Sequence, residues 1–171
     1  MVFQARSLDL EMTVMANLQF HGALFGLSGR TLRDRIAEGT SLLDIGDLLG
    51  KRVRTLSGGN QRRVEIARAM INAPDLLLMH EPNVGLDPGT RQLLMRHVER
   101  IRAAKGTSIL WATHLVDEVE NADRVVLIKN GAVVQSGTPE ALKAAAGASS
   151  LTEAYIALTG VPLQPEGHVA A

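Results

Sequence analysis

With 171 residues, 46% of them hydrophobic, the chain is long enough for one ordinary domain with a core and too short for two large ones. Its 18 basic and 18 acidic residues balance, which leaves no bulk field for nucleic acid or anionic lipid, and the lack of cysteine excludes disulfides and thiolate metal sites. No stretch reads as a basic-then-apolar leader or as the roughly 18 apolar residues of a spanning helix, so any membrane role must come through a partner.

Residues 13–49 read as helical, with Leu18, Phe20, Leu24 and Phe25, then Leu32, Ile36 and Leu43, as apolar anchors. Gly26 to Gly29 divides that stretch into two helices. Val64, Ala67, Met70 and Ile71 follow helical spacing in the next helix, which Asn72-Ala73-Pro74 stops. Asp75 opens the all-apolar run Leu76-Leu77-Leu78-Met79, the pattern of a strand buried on both faces of a parallel sheet.

Asp87-Pro88 caps and starts a helix with Leu94, Val98 and Ile101 on its inner face, and Gly106 ends it. Residues 107–113 read as a second buried strand and residues 116–121 as a short helix. Residues 125–128 and 132–135 are strands around Asn130-Gly131, a hairpin signal. Thr138-Pro139-Glu140 starts a helix, and Ser150 with Glu153 forms a capping box for the last one. Pro162, Pro165 and Gly167 mark a loose tail.

The chemistry centres on Leu56-Ser57-Gly58-Gly59-Asn60-Gln61-Arg62-Arg63. Ser57 is placed to cap the helix that follows. Gly58 and Gly59 carry N–H donors with no side chain to block an anion at the positive end of that helix. This run resembles the signature motif of ATP-binding-cassette (ABC) ATPases, and the resemblance extends over residues 2–160. It implies an α/β fold: a partial P-loop NTPase with a helical subdomain, an incomplete parallel sheet, a C-terminal hairpin and helices. The divisions expected are residues 1–56, with the Q-loop and helical subdomain; 57–137, from signature to hairpin; 138–160, the C-terminal helices; and 161–171, the tail. The ending Leu151 to Gly160 is similar to that of the branch powering two-component exporters of drugs or polysaccharides.

The resemblance assigns roles residue by residue. Ser57, Gly58, Gly59 and Gln61 would contact ATP held by a partner chain. Gln4 resembles the Q-loop glutamine, which reaches the magnesium ion and the attacking water. Glu81 resembles the residue that polarises that water, and His114 the switch histidine that contacts the γ-phosphate. Asp87 belongs to a run similar to the D-loop, and an N-cap role is open beside that one. His80 stands where the family has the Asp that orders magnesium, and an imidazole is a poor partner for an ion that prefers oxygen. A soft-metal site of His80, His114 and Glu81 is the weaker alternative.

The expected cofactors are ATP and Mg2+, and the expected partners are a membrane permease and a second ABC ATPase chain. No nucleic acid is expected, since Trp111 and Tyr155 are alone of their types and offer no stacking platform. The expected location is cytoplasmic, at the inner face of the membrane through the permease. The family's Gly-x-x-x-x-Gly-Lys-Ser/Thr loop does not occur in these residues. The expectation is therefore an N-terminally truncated cassette that is inactive alone, or a non-catalytic module lending its signature to a complete ATPase.

Overall fold

The computed structural model describes residues 1–160 in two compact units, Met1–Ala112 and Thr113–Ala171, the latter as far as Gly160. The tail expected at residues 161–171 lies outside the described residues.

The first unit opens with Val2, whose N–H donates to the Leu78 carbonyl at 2.8 Å and whose carbonyl accepts from the His80 N–H at 3.0 Å. This is a single parallel bridge to the strand β1, Leu76–His80. On its other side β1 pairs in parallel with β2, Ser108–Ala112. Between them in sequence runs α4, Pro88–Lys105, the crossover that parallel strands require. Leu77 and Met79 face the core, whereas Leu76 is 52% and Leu110 62% exposed. The two strands expected to be buried on both faces are therefore covered on one.

Three further helices complete this unit. They are α1 (Val14–Leu24), α2 (Gly29–Leu42) and α3 (Gly58–Met70), with 3-10 turns at Gly46–Leu48 and Val53–Thr55. Thr13 caps α1 through its hydroxyl, which accepts from the Ala16 N–H. Leu18, Ile36 and Leu43 anchor the core as expected, but Phe20, Leu24 and Phe25 are more than half exposed. Helix α1 faces the core through Val14, Asn17, Leu18 and Gly22; Phe20 and Leu24 fall away from that face, and Phe25 lies past the last helical residue, at the C-cap. Asn17 is buried for a polar purpose. Its amide donates to the Asp9 and Thr13 carbonyls and accepts from the Asp9 N–H.

The C-terminal end of α2 is gripped by cations from two neighbouring helices. Arg63 of α3 donates to the Leu43 and Asp44 carbonyls. Arg100 of α4 donates to the Asp44 carboxylate at 2.7 Å and to the Ser41 carbonyl. Cations suit the negative end of a helix. His97 of α4, fully buried, donates from Nδ1 to the Leu42 carbonyl at 3.2 Å, and its Nε2 has no partner among the described residues.

The second unit holds the antiparallel pair β3 (Val125–Lys129) and β4 (Ala132–Gly137), turned at Asn130-Gly131 with both residues at positive φ. Helices α5 (Pro139–Ala146) and α6 (Leu151–Thr159) follow. A small core of Val125, Leu127, Leu142 and Leu151 joins them. The helix expected at residues 116–121 is a 3-10 turn, Val116–Val119. Ser150 caps α6, but the Glu153 carboxylate accepts from the N–H and hydroxyl of Ser149, one residue beyond the partner of a standard capping box. Those bonds hold its carboxyl below the usual range.

Burial pushes the His97 imidazole below its ordinary value, against the pull of the Asp44 carboxylate and the Leu42 carbonyl. As pH falls the unfolded chain takes up this proton before the folded one. Stability that is full above about pH 6.5 is thus lost as pH drops through the depressed folded value. Urea unfolding at about pH 7.5 and about pH 5.5 should show a larger loss for the native chain than for His97→Gln. An equal loss in both would contradict this assignment.

Candidate functional site

Helix α3 begins where its sequence says it should. Ser57 is extended, and its hydroxyl accepts from the Asn60 N–H at 3.4 Å, while the N–H groups of Gly58 and Gly59 have no carbonyl within the helix to meet. Both glycines sit against other segments. A Cβ built on Gly59 would lie 2.4 Å from Thr90 Cγ2, and one on Gly58 would lie 2.6 Å from an Arg6 nitrogen and 3.8 Å from Leu86. Two helix N-termini, those of α3 and α4, therefore approach as closely as side-chain-free backbone permits.

The second of these is set by Asp87. Its carboxylate accepts from the Thr90 N–H at 3.0 Å and from the Thr90 hydroxyl at 2.5 Å, bonds that hold the carboxyl below the usual range. The turn before it uses Gly85 at φ 74° and a Leu86 N–H to Asn83 carbonyl bond of 3.2 Å. The N-cap reading of Asp87 is thus realised in the geometry. Asn83 is almost wholly buried and donates to the Met95 sulfur at 3.7 Å.

Gln4 lies in a segment without regular structure, and side chains of α3 hold that segment in place. Arg62 donates to the Phe3 carbonyl at 2.6 Å, to the Gln4 carbonyl at 2.9 Å and to the Glu65 carboxylate at 2.7 Å. Glu65 accepts from the Ser7 N–H at 2.7 Å, and Arg68 donates to the Ser7 carbonyl at 2.8 Å and to its hydroxyl. Burial pushes the Arg62 guanidinium below its ordinary value, with Glu65 pulling it up and Arg6 pushing it down. Gln61 is inside. Its amide nitrogen donates to the Val53 and Leu56 carbonyls and its oxygen accepts from Arg6, so its side chain braces the turn before α3 rather than pointing outward.

Glu81 follows β1 directly, half-buried, with φ 49° and its N–H on the Ala112 carbonyl at 2.8 Å. A non-glycine residue in the left-handed region is strained, and such strain gathers at functional positions. His80, the last residue of β1, is exposed. His114 belongs to the second unit, in the turn where the Leu115 N–H bonds the Thr113 hydroxyl. The first unit thus brings together the backbone around Gln4, the Ser57–Gly59 run and the Asp87 turn.

Known proteins resemble this chain in sequence and in fold. The profile of the family described as ABC transporter matches residues 1–84. The Nod factor export ATP-binding protein I of Bradyrhizobium diazoefficiens is 43% identical over 145 residues, covering 81% of this chain and 45% of that protein. Its counterpart in Ralstonia nicotianae is 42% identical over 145 residues, covering 81% and 43%. Among solved structures, cbiO1 of Clostridium perfringens, part of the ABC transporter complex cbiONQ, matches with a TM-score of 0.78 and 29% identity, over 84% of this chain and 58% of that one.

The chain belongs to the ABC ATPase family. The dimeric structure of MJ0796, a bacterial ABC transporter cassette, also matches, with a TM-score of 0.68 and 27% identity over 80% of this chain and 61% of that one. The chain spans less than half the length of the curated relatives just named. No helix among the described residues is long and apolar enough to cross a membrane.

A magnesium ion, which the family implies, does not fit the donors present. With an imidazole at His80 and only the Gln4 amide beside Glu81, the set lacks the oxygen-rich shell that ion requires. Among the described residues no three His, Asp or Glu side chains gather to hold a metal. Reading the motifs missed Arg6, Arg62, Glu65 and Arg68. The one signal was the opposite charge of Arg62 and Glu65 at i and i+3, which marks an ion pair on a helix but not its burial.

Gly59→Ala should destabilise the chain by about 1–3 kcal/mol in urea unfolding, the usual cost of overpacking. Adding Thr90→Ser, which removes the methyl a Cβ would strike, should recover most of that loss. Failure of the second substitution to rescue the first would show that the contact is not what excludes a side chain.

Proposed function

We propose that this chain acts in an ABC exporter, where it couples the ATP of a second ATPase chain to a membrane permease. The observation that carries the reading is the paired start of α3 and α4. Ser57 caps the first and Asp87 the second, with Gly58 and Gly59 bare between them. Free N–H groups at the positive end of a helix favour a phosphate oxygen. In this reading the Ser57 hydroxyl and the N–H groups of Gly58 and Gly59 close over the γ-phosphate of the partner's ATP, and the Asp87 turn crosses to the partner. The Nod factor export relatives support the exporter branch, and the structure of MJ0796 bound to ADP and Pi supports nucleotide as the ligand class.

In this reading Glu81 polarises a water, His114 contacts phosphate and Gln4 senses the permease, roles that rest on the family resemblance of each residue. The imidazole of His80, a poor partner for an ion that prefers oxygen, favours the reading in which this chain lends its signature and leaves hydrolysis to the partner. The location that follows is the cytoplasmic face of the membrane, held through the permease.

The test is association with a complete ABC ATPase of the same branch whose catalytic glutamate has been changed to glutamine, so that ATP is kept. Sedimentation should show a heterodimer with ATP and none without, and Ser57→Arg should abolish it. Association indifferent to ATP would overturn the reading. The polypeptide of residues 1–171 alone should release no more phosphate than its Glu81→Gln variant, and release clearly above that control would contradict the division of labour.

A further inference from the structure

We propose that Arg6 is a further phosphate-binding residue of the signature site, a cation that the fold places over Gly58 at the start of α3. The proposal deepens the reading above and rests on it. The backbone on both sides of Arg6 is fixed: the Gln4 carbonyl is bound by Arg62, and Ser7 is bound at its N–H by Glu65 and at its carbonyl by Arg68. One arm of the Arg6 guanidinium is fixed too. Its Nη1 donates to Gln61 Oε1 at 2.8 Å, and the Gln61 amide nitrogen is itself tied to the Val53 and Leu56 carbonyls.

The other arm is available. Nη2 lies over Gly58, 2.6 Å from where a Cβ would stand, and it donates to no acceptor among the described residues. The Glu65 carboxylate of the same helix is engaged by Arg62 and by the Ser7 N–H. Arg6 is exposed, so it meets solvent where a phosphate would arrive. A guanidinium anchored by one nitrogen and open at the other presents a planar fork suited to phosphate oxygens. Gly58 then has a second reason to be glycine, since a side chain there would push the guanidinium away.

A merely structural role would be read in stability alone, because Arg6→Ala leaves Gln61 Oε1 without its donor while the two bonds from its amide nitrogen remain. Arg6→Ala should lower the thermal midpoint modestly, leave the chain folded at the assay temperature, and weaken ATP-dependent association with the hydrolysis-deficient complete ATPase by about tenfold, the scale of one charge-assisted hydrogen bond. It should also flatten the dependence of that association on salt, while Arg6→Lys restores part of the affinity by returning the charge without the fork. Association of Arg6→Ala at native strength, with Ser57→Arg still inactive, would overturn the role of Arg6 and leave the functional reading standing. Absence of ATP-dependent association in the native chain would sink the functional reading, and this proposal with it.

Discussion

The guanidinium of Arg62 and the carboxylate of Glu65 meet at 2.7 Å on one face of α3, with side chains only 4% and 2% exposed. Taking both charges out of water costs several kcal/mol each, and their attraction offsets that only when the remaining hydrogen-bonding groups are also satisfied. Here they are satisfied by the backbone of Phe3, Gln4 and Ser7. A segment with no strand or helix of its own is thereby fixed to a helix more than fifty residues away in sequence. The pair adds little to stability in principle. What it supplies is position.

Position is what the rest of the first unit needs. The same helix that carries Arg62 and Glu65 begins at Ser57 and Gly58, so the Gln4 segment, the signature and the Arg6 side chain share one support. The start of α4 joins them because Gly59 lets Thr90 approach, and Asp87 fixes Thr90 in turn. On the far side, Arg63 and Arg100 tie the end of α2 to α3 and α4. A shift of α3 would move all of these groups together, which is the behaviour that the proposed closure over a partner's phosphate calls for.

Much of this was legible in the residues. The cap at Ser57, the cap at Asp87 and the Asn130-Gly131 hairpin are local chemistry, and local chemistry is written in short stretches of sequence. The family could be named because Leu56 to Arg63 is specific. Burial was read less well. Phe20 and Leu24 have the composition of core residues, yet α1 turns them outward, because its inner side is filled by Val14, Leu18 and the polar but buried Asn17, and Phe25 is exposed where the helix has ended. The motif puts Gln61 on a ligand surface, while its three hydrogen bonds face inward. Contacts such as Arg62 to Gln4 join distant parts of the chain, and nothing in the spacing of either partner announces them.

The account stands or falls on whether the Arg62–Glu65 pair positions the Gln4 segment rather than simply holding the fold together. The direct measurement is amide hydrogen exchange at Ser7, whose N–H ends on Glu65, in the doubly substituted chain Arg62→Met with Glu65→Leu. Exchanging a buried ion pair for apolar side chains of similar volume is often close to neutral for stability. The account predicts a cooperative melt close to the native one, unchanged exchange at the core amide of Leu18, and exchange at Ser7 faster by about tenfold or more. Ser7 protection at the native level in that folded variant would show that the segment is held by something other than this pair.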